Sequence, residues 1–469
     1  MIGRIARKEM TEMFRDGRFQ LASAVVAVLL LASLGAGWKH YSELKTQHET
    51  AQRAERVNWL GQERKNPHQG AHYGVYAFKP KSQLSIVDTG VDPYVGVAVY
   101  LEAHKQNEFK FRPAQDASTS IQRFGELTAA VVLQILIPLL IILLTFSAFA
   151  GEREQGTLRQ VLSLGVGRGQ LTAGKALGVV GAMAVVLVPA TLVGVGKLAL
   201  TSTTGLLAVD VSRTLLMAAA YSLYFLVFLA ISLAVSALSR SSRFPLVVLL
   251  AFWMVNGLIA TRASSDLAGY LHPTPSEVEF DTSLQRDLAD TKTLNGKLDV
   301  IKAGLFKQYG VNTLDDLPVN FRAISLQEAE EHGYTVFEKH FGDVFDRFES
   351  QNAVYQWGGV VSPLIAVRSI SMGLAGTDFA HHRHFTIAAE NYRRTIIRSM
   401  NDDILVHPTK GGEEYLAGSE LWRKVPAFQY AEPDASWALS HYKTSGSLLG
   451  AWLVAAAFAV GAASRRIDV

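Results

Sequence analysis

Residues 127–144 read Leu-Thr-Ala-Ala-Val-Val-Leu-Gln-Ile-Leu-Ile-Pro-Leu-Leu-Ile-Ile-Leu-Leu and carry no charged side chain. A helix of this length reaches ~27 Å, close to the ~30 Å hydrocarbon core of a bilayer. A soluble protein can bury one such helix, but several would need an implausibly large core. The sequence therefore predicts an α-helical polytopic membrane protein with six transmembrane helices. The six apolar runs lie at residues 20–37, 128–150, 176–198, 214–237, 245–261 and 446–463.

The overall composition excludes several classes of function. Charged residues make up 19% of the 469-residue chain, below the ~25% typical of soluble proteins. The 45 basic and 42 acidic side chains leave a net charge of only +3, so no strong field attracts nucleic acid. Cysteine is absent, which excludes disulfides, thiolate metal sites and cysteine nucleophiles.

The orientation of the spans follows from arginine and lysine, which are enriched in cytoplasmic loops. Because the number of spans is even, the basic loops and both termini fall on one side, which we predict to be the cytoplasm of a bacterial inner-membrane protein. The amphipathic N-terminal stretch indicates a helix on the membrane surface, and it makes a cleaved signal peptide the less favoured alternative. The basic residues are Arg4, Arg7, Lys8, Arg15, Arg18, Arg153, Arg159, Arg168, Lys175, Arg240, Arg243, Arg465 and Arg466.

This topology divides the chain into five parts. The first extracytoplasmic segment has strand-like stretches at 72–78 and 94–100, and the second is mostly helical, with a capping box at Ser325 and Glu328. We expect the two insertions to pack into one periplasmic α+β domain. The parts are an interfacial helix with the first span (1–37), the first extracytoplasmic segment (38–127), spans two to five with a cytoplasmic loop at 151–175 (128–261), the second extracytoplasmic segment (262–445), and the sixth span with a cytoplasmic tail (446–469).

The source of energy is predicted to lie outside this chain. The spans hold almost no ionisable side chains, which disfavours transport driven by protons or sodium. Residues 169–176, Gly-Gln-Leu-Thr-Ala-Gly-Lys-Ala, match a phosphate loop except at Ala176, where a serine or threonine would hold magnesium. We therefore expect this chain to be non-catalytic and to have no cofactor of its own. A separate partner ATPase is expected to bind ATP and Mg²⁺.

The predicted docking element for that ATPase is the loop after the second span, Gly-Glu-Arg-Glu-Gln-Gly-Thr-Leu-Arg-Gln-Val-Leu-Ser over 151–163. Glu152 and Glu154 suit a helix N-terminus, and Gly165 and Gly167 would end the helix. Such a helix can transmit displacement to both adjoining spans, although a plain linker is the alternative. Its apolar side, which we expect to sit in a groove of the partner, consists of Leu158, Val161 and Leu162.

At these residues the sequence resembles the permease subunits of type II ABC exporters. In that family the loop looks like Glu-x-Glu-x-Gly-Thr-Leu, then Leu-Ser, a proline, an arginine and a lysine. The resemblance implies that the matching residues form the coupling helix and its flank, and Gly165 stands where proline is common. The matching residues are Glu152, Glu154, Gly156, Thr157, Leu158, Leu162, Ser163, Arg168 and Lys175.

The outer segments resemble one branch of these permeases, which carries an uncharacterised extracytoplasmic domain and is similar to accessory permeases linked to copper-enzyme maturation. The likeness rests on stretches such as Ala71-His-Tyr-Gly, Leu101-Glu-Ala-His-Lys-Gln-Asn and Ala389-Glu-Asn-Tyr-Arg. It implies two permeases, identical or related, assembled with a dimer of cytoplasmic ATPases. The predicted function is export of a substrate that the sequence does not identify. The alternatives are mechanotransmission to a periplasmic partner without solute transport, and a membrane-anchored metal-binding domain.

The histidines raise the question of a metal site, because all 13 lie in the predicted outer segments. His68 and His72 are four residues apart, and a second group from His381 to His384 follows Asp378. Asp378 also suits a helix N-cap, and those segments hold most of the residues outside the membrane. The sequence alone therefore assigns no metal ligand.

Two further interpretations concern catalysis and assembly. The chain has neither a Gly-x-Ser-x-Gly elbow nor a His-Glu-x-x-His pair, so no catalytic residue is predicted. Small residues in the third and sixth spans favour close helix packing, and we expect them to contact the second permease. They are Gly178, Ala182, Gly450, Ala455, Ala459 and Gly461.

Overall fold

The fold is that of a computed structural model, which describes residues 1–109, 127–201, 207–408 and 415–467. Six helices of the described residues are long and apolar enough to cross a membrane, which confirms the predicted number of spans. Each extends past its apolar run on at least one side, because the helical backbone continues into more polar sequence. Numbered in chain order, the spans are Gly17–Leu60, Ala129–Glu154, Arg168–Gly196, Val211–Leu238, Arg243–Leu271 and Lys443–Arg465.

Spans two and five each contain one π-helical turn. In span two, Val132–Leu136 forms this turn directly before Ile137–Thr145, whose first turn contains Pro138. A proline in a regular α-helix lacks a hydrogen-bond donor and clashes with the preceding turn, so the π-turn accommodates it. In span five the π-turn is Val255–Ile259, between Arg243–Met254 and Ala260–Leu271.

A short helix of the second outer segment, Pro363–Ala375, lies inside the bundle. Almost all of its side chains are buried, and it contacts spans four and six. Both π-turns bind this helix. In the π-turn of span five, the Asn256 side chain accepts hydrogen bonds from the Ser362 hydroxyl at 2.7 Å and the Leu364 N–H at 3.2 Å. In the π-turn of span two, Gln134 Oε1 accepts from Arg368 Nε at 3.2 Å. The outer segment is therefore built into the membrane bundle.

The first outer segment contains a small antiparallel sheet in the order β1-β2-β3, formed by Val75–Phe78, Ala98–Glu102 and Lys105–Gln106. Val75 pairs with Leu101, and Glu102 pairs with Lys105 across a two-residue turn. β1 lies within the first predicted stretch, whereas β2 overlaps only the end of the second, because Tyr94 belongs to the short helix Asp92–Val95. β3 was not predicted. Gly74 and Gly96, with positive φ angles, precede β1 and β2.

The two outer segments share a hydrophobic core, which confirms the predicted α+β domain built from two insertions. Trp59 and Trp422 are completely buried in it, and the Trp59 Nε1–H donates to the Trp422 carbonyl at 2.9 Å. Phe385 and Met400 of the long helix Phe379–Leu405 pack against residues of the sheet in the same core.

The expected capping box at Ser325 and Glu328 is wrong, because both residues lie inside the helix Phe321–Trp357. Asn320 caps that helix by accepting a hydrogen bond from the Arg322 N–H at 3.0 Å. A capping box is found instead at Ser276, before Glu277–Ala289. The remaining described elements are Ile2–Arg15, Pro67–Tyr73, Gln83–Ile86, Asp92–Val95, Thr157–Ser163, Lys292–Tyr309, Gly358–Val360, Ser419–Lys424 and Ala435–Ser440.

Candidate functional site

The loop between spans two and three consists of two short helical segments joined by a glycine. Ala150–Glu154 ends span two, and Thr157–Ser163 follows Gly156, whose φ is 72°. A Cβ on Gly156 would meet no atom within 4 Å, so the glycine is needed for its backbone conformation. Gly165, with a φ of 81°, follows the end of the second segment. The expected continuous helix from Glu152 is thus interrupted by a turn.

Glu152 joins separate elements through one buried lysine. Lys175 Nζ lies 2.8 Å from Glu152 Oε1 and 2.9 Å from Glu9 Oε1, and only 2% of the Lys175 side chain is exposed. A buried ammonium group is tolerated only when it is paired. These contacts hold the N-terminal helix and the adjacent ends of spans two and three together. We call Glu9, Glu152 and Lys175 the loop-side charge cluster.

The next two loop residues bind the ends of spans four and five. Arg153 donates to the Ala237 carbonyl at 3.0 Å and to the Ser239 carbonyl, where span four ends. Glu154 accepts hydrogen bonds from the Ser242 N–H at 3.1 Å and the Ser242 hydroxyl at 2.7 Å, where span five begins. A cation suits the C-terminus of a helix and an anion suits the N-terminus. The charge of each side chain therefore matches the helix end that it contacts.

The apolar side of Thr157–Ser163 faces the chain's own bundle. Leu158 is 1% exposed, and Val161 and Leu162 pack against the same core. The structure thus differs from the expectation that this side enters a groove of a partner, because the bundle already buries it. The surface that remains for a partner is the outer side, formed by Arg159, Gln160, Ser163 and Leu164. We call these four residues the exposed loop face.

Two other predicted residues, Thr157 and Arg168, stabilise the loop and its flank through hydrogen bonds. The Thr157 hydroxyl donates to the Glu152 carbonyl at 3.2 Å, across the turn at Gly156. At the start of span three, Arg168 Nη1 donates to the Arg465 carbonyl at 2.8 Å, where span six ends. The loop and its flank therefore contact the ends of spans three to six on one side of the bundle, which we call the loop side.

Sequence reasoning missed several partners of the loop. Glu9 comes from the N-terminal helix, and Ser242 precedes span five. The Ser236 hydroxyl accepts hydrogen bonds from the backbone N–H groups of Phe149 and Ala150 at 3.0 and 3.3 Å. A single serine or glutamate gives no signal of its own, so only the folded arrangement identifies these contacts.

The small residues of span three serve a different purpose from the one expected. The N-terminal helix Ile2–Arg15 packs against them, and a Cβ on Gly174 would lie 2.6 Å from the Ile5 side chain. One on Gly178 would lie 2.7 Å from Glu9 Cβ, and Ala182 is completely buried. The expected contact of Gly178 and Ala182 with a second permease is therefore wrong. In span six, Ala455, Ala459 and Gly461 are exposed and Gly450 is half-buried, so that part stays a prediction.

The outer histidines form one cluster among the described residues, and it combines His68 and His72 with His104, which the sequence analysis did not pair. Burial and the two neighbouring imidazoles lower the pKa of His68 to about 4. In the second predicted group, His381 Nδ1 contacts Asp378 Oδ1, but His384 Nδ1 lies 2.9 Å from the Tyr430 hydroxyl instead. Asp378 caps Phe379–Leu405 by accepting from the His381 N–H at 3.1 Å, which confirms its predicted N-cap role.

Comparisons with known proteins address the family directly. A family model described as ABC-2 family transporter protein matches residues 4–331, more than half of the chain. A second model, a domain of unknown function named DUF3526, matches residues 277–431. The chain is also similar to the probable ABC transporter permease protein NosY of Pseudomonas aeruginosa, with 46% identity over 65 residues. That match covers 14% of this chain and only 22% of the relative.

Proposed function

Because this chain belongs to the ABC-2 family of transporter proteins, we propose that it couples ATP hydrolysis by a separate ATPase to the export of a substrate across a bacterial inner membrane. It is a multi-pass permease component of an ABC transporter. In this proposal the loop side faces the cytoplasm, both termini are cytoplasmic, and the two insertions form a periplasmic domain. The ATPase binds ATP and Mg²⁺, and this chain supplies no catalytic residue.

The observation that supports this proposal is the set of contacts made by three consecutive charges in the loop. Glu152 is bound to Lys175 of span three, Arg153 to the end of span four, and Glu154 to the start of span five. A force on the loop therefore acts on several spans together, because each link is an ion pair or a charge-assisted hydrogen bond.

The expected movement starts at the exposed loop face. When the two ATPase subunits close on ATP, they would displace Thr157–Ser163, whose buried Leu158 moves with the bundle. The spans would then shift against those of a second permease, identical or related, and open a path between the two. Replacements on the exposed loop face are the direct test, because their side chains do not contribute to the bundle core.

The test is the double replacement Arg159→Glu with Leu164→Asp in the full chain, purified from the native host with its ATPase. Leu164 is 78% exposed, so the fold should not change. We expect less ATPase to be recovered and ATP turnover in the complex to fall about tenfold, the effect of ~1.4 kcal/mol of lost contact.

The matched control is Arg262→Glu, a charge reversal at an exposed side chain near the far end of span five. It should leave ATPase recovery and ATP turnover unchanged. If the loop replacements behave like this control, the proposed coupling surface is wrong. Full transport activity of the chain alone in liposomes without nucleotide would remove the need for any ATPase.

A second candidate function is mechanotransmission to a partner outside the membrane. The helix Pro363–Ala375 favours it, because it connects the outer domain to spans four and six inside the bundle. Movement of the spans would then reach the outer domain without passage of a solute. Transport assays on vesicles containing the purified complex separate the two, since only an exporter accumulates substrate in response to ATP.

A further inference from the structure

The outer domain contains a histidine cluster that none of the proposed coupling contacts uses. His68 and His72 lie on the short helix Pro67–Tyr73, and His104 lies in the turn between the second and third strands. One ring nitrogen from each lies within 4.8 Å of the others. We propose that these three histidines bind a divalent transition-metal ion of the zinc class. The proposal is independent of transport.

The spacing of the three rings suits one ion. Their centroids form a nearly equilateral triangle, with separations of 4.8, 4.8 and 5.1 Å. With zinc–nitrogen bonds of about 2.0–2.1 Å, tetrahedral geometry places ring centroids about 5 Å apart and ligand nitrogens about 3.3 Å apart. The Nε2 atoms of His68 and His104 are 2.9 Å apart, so a small outward movement would admit an ion.

Glu330 of the second outer segment orients His104. Its Oε1 lies 2.6 Å from His104 Nδ1 and also accepts from the His104 backbone N–H at 2.8 Å. When Nδ1–H donates to this carboxylate, Nε2 is the unprotonated nitrogen of the neutral imidazole, and it faces His68 Nε2 at 2.9 Å. A carboxylate behind a metal-binding histidine is the usual outer partner of such sites, because it fixes the ring and makes the ligand more basic. Arg393, 3.6 Å from the other Glu330 oxygen, holds the carboxylate in turn.

The backbone at His104 supports a role that needs its side chain. His104 has a φ of 62°, and among the described residues it is the one non-glycine residue with a positive φ. Its position in a two-residue turn favours glycine or asparagine, since a larger side chain is disfavoured there. A histidine held in a disfavoured conformation beside two other histidines points to a function of the imidazole.

The ligand set indicates the class of ion. Three neutral imidazoles suit zinc, copper or nickel, whereas magnesium and calcium prefer oxygen ligands. His68 is buried, but His72 and His104 are exposed. An ion could therefore enter from solvent, and a fourth position remains for water or an exchangeable ligand.

The test uses the full chain in detergent, purified with a tag that contains no histidine and stripped with a chelator. Zn²⁺ is titrated in competition with a chromophoric chelator, and Co²⁺ reports the geometry through its visible absorption. We expect one ion per chain. His72→Ala and His104→Asn should each weaken Zn²⁺ binding by more than the ~10–100-fold that loss of an outer partner causes. Asparagine keeps the positive φ, so His104→Asn should fold.

The matched control is His441→Ala, which removes an exposed histidine outside the cluster. Its Zn²⁺ affinity and its melting temperature should equal those of the unmodified chain. Circular dichroism of the metal-free variants separates loss of binding from loss of fold. Absence of stoichiometric Zn²⁺ binding by the unmodified chain, or binding that survives both replacements in folded protein, would overturn the proposal.

Discussion

The loop side and the outer domain contain charge clusters of opposite composition. On the loop side one buried lysine, Lys175, lies between two carboxylates that come from different helices. In the outer domain one buried carboxylate, Asp92, lies 2.6 Å from the ammonium groups of both Lys79 and Lys81. The outer cluster connects residues close in sequence, whereas the loop-side cluster connects helices that are far apart in it. The Asp92 cluster stabilises a local fold, and the loop-side charge cluster holds separate helices together.

The two clusters also differ in their access to water. Asp92 and Lys79 are 2% and 3% exposed, but Glu9 and Glu152 are 10% and 16% exposed. Burial alone would raise the pKa of Asp92, and the two ammonium groups outweigh it and hold that pKa well below its usual range. We therefore expect removal of a charge to reduce the free energy of unfolding more in the outer domain. On the loop side, we expect it to impair the proposed coupling to the ATPase more.

The largest effect is expected for Asp92→Asn. The replacement leaves the buried Lys79 and the partly buried Lys81 without a counter-charge, and breaking a buried pair in this way costs about 3–5 kcal/mol. Thermal unfolding of the full chain in detergent would measure the loss, with Asp266→Asn as an exposed control that should change little. An equal loss of stability in Asp92→Asn and Asp266→Asn would mean that burial does not strengthen the ion pairs of Asp92.

The pH dependence of stability, compared between the unmodified chain and Asp92→Asn, tests the same ion pairs further. A carboxyl group with a lowered folded-state pKa stabilises fully above its unfolded-state pKa of ~3.9, and this stabilisation is lost as the pH falls through the folded value. The stability difference between the unmodified chain and Asp92→Asn should thus be constant from pH 7 to pH 5 and shrink only below about pH 4. A difference that already shrinks between pH 7 and pH 5 would contradict the assignment.

An intermediate effect is expected for Lys175→Met. The loss in the free energy of unfolding should not exceed about 3 kcal/mol, the lower end for a broken buried ion pair, because Glu9 and Glu152 are partly exposed to water. Under the proposed function, ATP turnover in the complex should fall even where the chain stays folded, since the ion pairs that link span three to the N-terminal helix and to the end of span two are lost. Lys175→Arg is the matched control, because it keeps the charge. Normal ATP turnover by a folded Lys175→Met complex would show that the cluster is only structural.

Much of the membrane part could be predicted from the sequence, because long uncharged runs have few alternatives to spanning a bilayer. The helix Pro363–Ala375 could not, since its 13 residues are too few to cross a membrane and an apolar helix of that length usually lies in a protein core. Only the fold shows that this core is the bundle itself.

The candidate sites were predictable to different degrees. The position of the loop and its glycines followed from local patterns, and the resemblance drew attention to Glu152 and Lys175 without indicating that they are paired. His68 and His72 were visible as a pair four residues apart. His104 could not be assigned to them, because a strand pairing and a turn bring it there from 36 residues away. Local spacing predicts helix faces, but it does not predict which separate elements meet.

The smallest effect is expected for Lys8→Ala, which tests whether the number of charges or their burial gives the loop-side cluster its strength. Lys8 lies within 3.6 Å of Glu9, Glu12 and Glu152, but its side chain is 51% exposed. Exposed ion pairs contribute about 0–1 kcal/mol, because water and salt screen them. Unfolding measurements on Lys8→Ala at low and high salt should therefore show a loss below ~1 kcal/mol that salt reduces further. A loss as large as that of Lys175→Met would mean that the number of charges near Glu9 and Glu152 controls stability, and the distinction between buried Lys175 and exposed Lys8 would have no energetic basis.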